Sequence, residues 1–183
     1  TGQKVQRDII FKTKAGKKIN LEVHLQNLLN EPAIKGIAVC FRDITKRVEM
    51  EKKMAYLSTH DEVTGLPNHI YFKQEFMRKC QHAQETHTKF AIMMLDINGF
   101  KYINDSLGNK LGDQLIIQIT ERLKAFLGDA KFLCRYSGDR FVIIVQGLST
   151  AAEHESIAKD IVGLFTQTFK VDKYELNATI SMG

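Results

Sequence analysis

The sequence predicts an α+β protein built in two parts. Three segments within residues 5–43 have the apolar or alternating character of β-strands, and from residue 59 onward helical and strand-like segments alternate along the chain. A charged segment with helical spacing, 44–58, lies between the two parts. Hydrophobic residues make up 44% and charged residues 26% of the 183 residues, a balance that is typical of globular proteins and not of disordered ones.

The first part is predicted to form three antiparallel strands. Its middle strand is the clearest, because four apolar residues alternate there with polar ones, as in a half-buried strand. The apolar set is Ile19, Leu21, Val23 and Leu25. Turn residues precede this strand at 15–17 and follow it at 30–32, and the third strand, 36–41, is almost wholly apolar. A sheet of this size has a small core and is marginal alone.

Segment 44–58 predicts a short amphipathic helix. Met50, Met54 and Leu57 follow one another at spacings of four and three, which gives one narrow apolar seam. Asp43 or Thr45 can cap the start of this helix. Two interpretations stay open: a linker helix packed on its own domain, or a parallel coiled-coil stub that joins two protomers.

The second part alternates between helices and strands. Asn68 follows Pro67 and can cap a helix. Segment 110–127 repeats an apolar residue every four positions, and two later apolar segments flank a four-residue turn, as in a hairpin. The predicted elements are a helix from Asn68 to about residue 86, a strand at 90–97, a helix at 110–127, strands at 132–136 and 141–145 around the turn Ser137-Gly138-Asp139-Arg140, a helix at 151–169 and a strand at 175–183.

Composition excludes several classes of protein. The net charge of +5 belongs to the N-terminal part, since 12 of the 26 Lys and Arg but only 6 of the 21 Asp and Glu lie in residues 1–53. The rest of the chain, from residue 54 onward, lacks the basic stripe of a nucleic-acid-binding protein. No apolar run in the sequence is long enough to span a membrane. Cys40, Cys80 and Cys134 are far apart, which fits a cytoplasmic protein without disulfides. We expect the chain, which begins at Thr1, to be a fragment of a longer one.

Two acids stand where a carboxylate needs a partner. Asp96 ends the apolar strand 90–96, where an unpaired charge is costly, and Asp139 lies at the tip of the predicted hairpin. If the hairpin lies beside that strand, the two carboxylates meet at one sheet edge, an arrangement typical of Mg²⁺ sites in phosphoryl transfer. An Asp in a hairpin turn is also an ordinary turn former, so both interpretations stay open.

The segment between these two acids, 99–113, is polar and contains three glycines. Asn and Asp side chains can hydrogen-bond the edge of a base, and glycine lets backbone approach a phosphate. The same residue types also serve as ordinary turn and capping residues. The polar side chains in question are Lys101, Asn104, Asp105 and Asp113.

Five segments taken together resemble one family. They follow in order with the family's spacing and are 60-HDEVTGLPNHIYF-72, 95-LDINGFKYIND-105, 108-GNKLGD-113, 135-RYSGDRF-141 and 179-TISMG-183. Residues 58–183 therefore resemble the GGDEF family, the diguanylate cyclase domain. Residues 5–46, which end in 42-RDIT-45, resemble the C-terminal half of a PAS sensor domain. This implies part of a PAS domain at 1–46, a linker or signalling helix at 47–58, and a GGDEF domain at 59–183 that lacks its C-terminal end.

The resemblance implies a fold, a reaction and a set of site residues. The fold is the palm-like central sheet of nucleotide cyclases, flanked by helices. Active members bind GTP with Mg²⁺, and two facing subunits join two GTP into cyclic di-GMP. Matched by position, metal would be held by Asp96, the backbone carbonyl of Ile97 and Asp139, phosphates would lie by Phe100 and Lys101, guanine would bind Asn104 and Asp113, and the nucleotide would pass close to Ser137 and Gly138.

The signature loop departs from the family at two positions. The usual Gly-Gly-Asp/Glu-Glu-Phe reads Ser137-Gly138-Asp139-Arg140-Phe141 here. Ser137 adds a side chain where the family has glycine beside the nucleotide. Arg140 replaces an acid implicated in metal binding or in activating the 3′-hydroxyl, and a guanidinium can neither accept a proton nor bind a cation. Arg140 can instead contact the triphosphate directly.

Other departures are milder. Asn98 stands where the family often has Asp, Asn109 where His is usual, and His69 where Arg is usual. The inhibitory Arg-x-x-Asp product site would fall on 128-GDAK-131 and is absent. His60-Asp61 resembles the start of an HD phosphohydrolase site, but the further ligands are missing, and we predict a capping or loop role for it.

These features predict a degenerate GGDEF domain in cyclic di-GMP signalling. It would bind GTP, or act as a regulatory scaffold for a neighbour such as an EAL phosphodiesterase, and form a homodimer through the PAS part and the linker helix. Two alternatives stay open: a working cyclase that tolerates Arg140, and a structural dimerisation module that binds no nucleotide.

Overall fold

The computed structural model describes residues 4–128, 131–147 and 150–183, apart from the side chain of residue 151. The strands are β1 (Lys4–Lys12), β2 (Lys18–Leu28), β3 (Gly36–Asp43), β4 (Phe90–Ile97), β5 (Phe132–Ser137), β6 (Arg140–Gln146), β7 (Phe169–Val171), β8 (Tyr174–Leu176) and β9 (Ile180–Met182). The helices are α1 (Thr45–Leu57), α2 (His69–Thr86), α3 (Phe100–Leu107), α4 (Asn109–Leu127) and α5 (Ala151–Gly163), with a 3₁₀ turn at Leu164–Thr166.

Contacts divide the chain into one compact unit that ends at Tyr56 and another that runs from Leu57 to Gly183. None of the helices in the described ranges has the length and apolar character needed to cross a membrane.

The first unit contains a three-stranded antiparallel sheet in the order β1-β2-β3. Val5, Leu25 and Val39 lie on one rung of this sheet, and Val23 and Phe41 lie together on another. Side chains of paired residues point to the same face, so the alternating apolar residues share one face of the sheet. The predicted strands and their period are confirmed.

The start of α1 is fixed to this sheet by hydrogen bonds. The carboxylate of Asp43 accepts a hydrogen bond from the backbone N–H of Thr45 at 2.8 Å, and the Thr45 hydroxyl accepts one from the N–H of Asn20 at 2.9 Å. Arg47 then lies 3.8 Å from the carboxylate of Glu22 on β2. Both predicted capping residues therefore take part in starting the helix, Asp43 at its first N–H and Thr45 as a link to β2.

The apolar seam predicted for α1 lies on its surface. Met50 is 58% exposed and Met54 is 67% exposed, and α1 buries none of its residues. Both interpretations of this helix, the linker and the coiled-coil stub, stay predictions.

The second unit is built on an antiparallel sheet in the order β5-β6-β4-β9. The predicted stripe of α4 packs against the inward residues of this sheet, and each fully buried aliphatic side chain contributes about 1.5–3 kcal/mol. This core includes Leu115, Ile116, Ile119 and Leu123 of α4 and Met93, Leu95, Ile97, Phe141, Ile143 and Val145 of the sheet, all of them buried. This packing fixes the edges of the sheet, where the predicted site residues lie.

The polar, glycine-rich segment after β4 contains a helix that was not predicted, α3. Gly99 and Gly108 bound it, with φ of +68° and +86°, in a backbone region that favours glycine. Phe100 is buried, and Ile103 and Leu107 follow it as half-buried residues at spacings of three and four. The apolar period was therefore present in the sequence, but the helix is short and the glycines at its ends are typical of loops.

The segment after α5 also differs from the prediction. The helix ends at Gly163 and not at 169, because Phe169 and Val171 are buried as the alternate residues of a short strand. This strand, β7, pairs with β8 through a turn in which Asp172 has a φ of +53°. The final strand is consequently short and begins only at Ile180.

One side chain of α4 holds this altered segment in place. The guanidinium of Arg122 donates to the carbonyls of Leu164 at 2.7 Å, Gln167 at 2.9 Å and Thr168 at 3.1 Å. It also lies 3.8 Å from the centre of the Phe169 ring, a cation–π distance. Arg122 therefore supplies the donors for carbonyls that the chain leaves without helical partners where α5 ends.

Arg122→Met is expected to lower the free energy of unfolding by about 2 kcal/mol or more, since hydrogen bonds to a charged donor are lost at several carbonyls. Arg122→Lys should recover only part of this, because an ammonium lacks the planar fork. Urea unfolding measures both. Arg78→Met, on the exposed surface of α2, is the matched control and should change stability much less. An equal loss in Arg122→Met and Arg78→Met would contradict the role of Arg122.

Candidate functional site

An ion pair occupies the sheet edge at which the two predicted acids were expected. Asp96 of β4 lies opposite Arg140 of β6, and the Nε–H of Arg140 donates to Oδ2 of Asp96 at 2.8 Å. This hydrogen bond and the charge of Asp96 raise the pKa of Arg140, with a smaller effect from Asp139. The side chain of Arg140 is 54% exposed and that of Asp96 is 40% exposed, so the pair faces solvent.

The turn that carries Asp139 is attached to the same strand. The backbone N–H of Ile97 donates to the carbonyl of Asp139 at 3.2 Å, which brings Asp139 beside the end of β4. Gly138 has a φ of +37°, in the region that favours glycine, and the register shifts at this turn. Both Ser137 and Gly138 are exposed. The structure thus brings Asp96, Asp139 and Arg140 together at one edge.

A buried arginine fixes the shape of this turn. Arg135 is only 7% exposed, and its Nε–H donates to the carbonyl of Gly138 at 2.8 Å. A terminal N–H of the same guanidinium donates to Oδ1 of Asp61 at 2.9 Å, and the backbone N–H of Arg135 donates to the carbonyl of Pro67 at 3.0 Å. Arg135 and Asp61 were not predicted as site residues. The available signal was a charged residue inside an otherwise apolar strand, since such a residue needs a partner.

Asp61 closes its own loop as well. Its Oδ1 accepts hydrogen bonds from the N–H and the hydroxyl of Thr64 at 2.9 and 2.7 Å, as expected for a loop-closing role. Burial raises the pKa of Asp61, but the hydrogen bonds from Arg135 and Thr64 outweigh it and hold that pKa below its usual range. Burial, with the charge of Asp61, also raises the pKa of the Cys134 thiol to about 12, so this thiol is neutral at physiological pH.

The predicted base-binding residues meet where α3 crosses α4. A Cβ at Gly112 would lie 2.9 Å from Cγ of Asn104 and 3.3 Å from Cζ of Phe100, so the absence of a side chain there admits both residues. Oδ1 of Asn104 is buried and has no hydrogen-bond partner among the described residues. Asp113 and Lys101 are exposed beside this contact region, one on each helix.

This arrangement of strands and site residues has counterparts in known proteins. Residues 58–183 match the family described as the diguanylate cyclase GGDEF domain. The chain belongs to the GGDEF family. A structure of the coiled coil and GGDEF domain of DgcB from Caulobacter crescentus, in complex with c-di-GMP, matches with a TM-score of 0.65 and 26% identity over 76% of this chain and 75% of that one. This similarity agrees with the predicted α+β fold and its palm-like central sheet.

Curated relatives are much longer than the matched region. Signaling protein YkoW of Bacillus subtilis is 32% identical over 149 residues, which cover 81% of this chain and 19% of YkoW. The bifunctional diguanylate cyclase/cyclic di-GMP phosphodiesterase MucR of Pseudomonas aeruginosa is 28% identical over 139 residues, which cover 76% of this chain and 20% of MucR. The chain therefore spans about a fifth of the length of these relatives, and its GGDEF domain is of a kind found in cyclic di-GMP signalling proteins.

GGDEF cyclases use GTP and Mg²⁺, and the resemblance assigns three groups of this domain to the metal. They are the carboxylates of Asp96 and Asp139 and the carbonyl of Ile97, but Asp96 already binds the guanidinium of Arg140. A cation at this distance from a metal ligand repels a second cation. Within residues 4–128, 131–147 and 150–183, no three His, Cys, Asp or Glu side chains gather to hold an ion. The donor set, arranged in this way, does not fit Mg²⁺.

The milder departures from the family have ordinary contacts. The amide of Asn98 donates to the Thr179 hydroxyl at 3.0 Å and accepts from the Ser181 hydroxyl at 2.7 Å, which ties the end of β4 to the last strand. The ring of His69 lies edge-on to Tyr136, with centroids 6.1 Å apart. Asn109 begins α4. The position of the missing product site, 128–131, includes residues 129 and 130, which lie outside the described part of the chain.

Asp61→Asn is expected to flatten the acid side of the stability profile. Because the pKa of Asp61 is lowered by folding, its carboxylate stabilises the fold above the ordinary carboxyl pKa of about 4, and this contribution is lost as pH falls through the lowered value. At neutral pH the variant should be less stable by about 1–3 kcal/mol, since Arg135 loses its partner. Urea midpoints measured against pH test this, with Asp105→Asn as the control. Parallel profiles for wild type and Asp61→Asn would contradict it.

Gly112→Ala is expected to displace the amide of Asn104. An alanine in a helix interior is normally more favourable than glycine by about 1 kcal/mol, but the contacts with Asn104 and Phe100 should cancel this gain. Gly163→Ala is the control, because a Cβ there meets nothing within 4 Å. Thermal unfolding and the NMR signals of the Asn104 amide report the result. Equal stabilisation in the two variants, with an unmoved Asn104 amide, would show that position 112 tolerates a side chain.

Proposed function

We propose that this GGDEF domain is a nucleotide-binding regulatory module of a cyclic di-GMP signalling protein and does not join GTP into cyclic di-GMP efficiently. The ion pair between Arg140 and Asp96 carries this proposal. It puts a fixed positive charge at the position where the family has an acid, and it engages the carboxylate that the resemblance assigns to metal.

Cyclisation makes two demands that this edge does not meet. The attacking 3′-hydroxyl must lose a proton, and Arg140 cannot accept one. A metal held by Asp96 and Asp139 would neutralise the negative charge that develops at the α-phosphate, but Asp96 is already paired with Arg140. Ser137, with a side chain where the family has glycine, leaves less room for the nucleotide beside the turn.

The features expected to bind nucleotide are retained. Asp113 offers an exposed carboxylate, which accepts hydrogen bonds of the kind that the N–H groups of guanine donate. Asn104 brings an amide to the same region, where there is room for it because Gly112 has no side chain. Phe100 and Lys101 open α3, where backbone N–H groups and one ammonium favour phosphate oxygens. We infer that binding survives while turnover is lost.

The regulatory role also draws on the rest of the chain. We infer that the β1-β2-β3 sheet is the C-terminal part of a PAS sensor (1–46), followed by a linker helix (47–58) and the GGDEF domain (59–183), and the division after Tyr56 supports a boundary there. The exposed Met50 and Met54 support a homodimer through α1. MucR, named as both cyclase and phosphodiesterase, supports an EAL neighbour in the parent protein. Free cysteines support a cytoplasmic location.

Arg140→Glu combined with Ser137→Gly is expected to create or raise cyclase activity at least tenfold, because it restores the acid and removes the added side chain. HPLC of the reaction with GTP and Mg²⁺ measures the product. Lys73→Glu on the exposed surface of α2 makes the same change in charge and should not raise the activity.

Two outcomes would contradict the proposal in different ways. Rapid formation of cyclic di-GMP by the unaltered chain would show a working cyclase that tolerates Arg140. No heat on titration with GTP, in wild type and in Asp113→Ala alike, would instead indicate a structural module without nucleotide.

A further inference from the structure

We propose that this site binds a nucleoside triphosphate without Mg²⁺, and that the guanidinium of Arg140 leaves Asp96 to contact the phosphate oxygens. The inference rests on the proposed function and states how a regulatory nucleotide site of this kind neutralises the charge of its ligand. Arg140 is then the cation of the site, and Asp96 is the group that holds it when no nucleotide is bound.

The charges at the sheet edge favour this arrangement. The two carboxylates of Asp96 and Asp139 and the guanidinium of Arg140 together carry a net charge of −1, whereas an acid at position 140 would make it −3. A divalent cation is drawn to several carboxylates, and this set offers one that is not already paired. A triphosphate, by contrast, is drawn to the permanent charge of an arginine.

The ion pair is built so that a ligand can open it. Both side chains are about half exposed, and ion pairs with this exposure are weak and screened by salt. The contact with Asp96 uses the Nε–H of Arg140, and the guanidinium makes no other hydrogen bond among the residues that the structure describes. The N–H groups on its terminal nitrogens donate to none of these residues and remain for phosphate, which a guanidinium binds through two parallel hydrogen bonds.

The proposal gives Asp96 a role opposite to that of a metal ligand. In a Mg²⁺-dependent site, removing the charge of Asp96 weakens nucleotide binding because the cation is lost. In this site, the same change strengthens binding, because Arg140 is released and a carboxylate no longer repels the phosphates. The sign of the effect therefore separates the two mechanisms.

The test is calorimetric titration of the 183-residue chain with GTP, once in EDTA and once with excess MgCl₂. The wild type should bind in EDTA with a Kd within about threefold of that in MgCl₂. In EDTA, Asp96→Asn should bind about fivefold more tightly, and Arg140→Met at least tenfold more weakly. Arg140→Lys, which keeps the charge without the planar fork, should recover part of the affinity.

Two further measurements keep the test specific. Glu121→Gln removes an exposed carboxylate on the surface of α4 and should change the Kd by less than about twofold. In the wild type, the NMR signal of the Arg140 Nε–H should shift when GTP is added in EDTA, and in Asp96→Asn it should already differ before GTP is added. A signal that does not move on binding would overturn the exchange of partners.

The proposal is overturned if EDTA abolishes GTP binding by the wild type, or if Asp96→Asn binds more weakly. It is also overturned if GTP fails to bind in either buffer. The proposed function fails on a separate result, the rapid formation of cyclic di-GMP by the wild type with MgCl₂. A chain that makes product slowly and binds GTP only with MgCl₂ would retain the proposed function and reject metal-free binding.

Discussion

The register between β4 and β6 is the constraint on which the site depends. Leu95 and Phe141 lie opposite each other on one rung, and both are almost completely buried. Asp96 and Arg140 follow on the next rung, so core packing decides that they meet. A slip of one residue would turn the buried set to the other face, which the core does not allow. The buried packing of Leu95 against Phe141 therefore brings Asp96 and Arg140 together, although their exposed ion pair is weak by itself.

Two arginines in the same hairpin have different tasks because they differ in burial. Arg135 is 7% exposed and joins the turn at Gly138 to the loop at Asp61, so it determines where the turn lies. Arg140 is 54% exposed and determines what charge the turn presents. Because the fold relies on the first and not on the second, position 140 can change its chemistry while the GGDEF architecture is retained.

The sequence predicted those parts of the fold that have long, regular periods. The alternation in β2 and the four-residue repeat of α4 decided their structures, whereas α3 is short and β7 has only three residues. The meeting of Asp96 and Asp139 was predicted from their places at strand and hairpin ends. The sequence alone does not show that Arg140 binds Asp96, because that depends on register.

Long-range contacts escaped prediction for a related reason. Arg135 and Asp61 are 74 residues apart in the chain, and no local pattern links them. The same holds for the carbonyls that Arg122 binds after α5. Arg135 lies in an otherwise apolar strand, which predicts that a partner exists without telling which group it is. Arg122 lies between Glu121 and Leu123, and its neighbours in the sequence give no such signal.

Cys134 gives the hairpin a natural chemical reporter. Its thiol is completely buried on β5, immediately before Arg135, and its raised pKa keeps it protonated. The thiolate is the form of cysteine that attacks alkylating reagents, so these reagents modify Cys134 only in the moments when β5 separates from the sheet. Cys40 is exposed and reacts without such an opening. The ratio of the two labelling rates therefore measures how often the strand before the signature turn leaves its place.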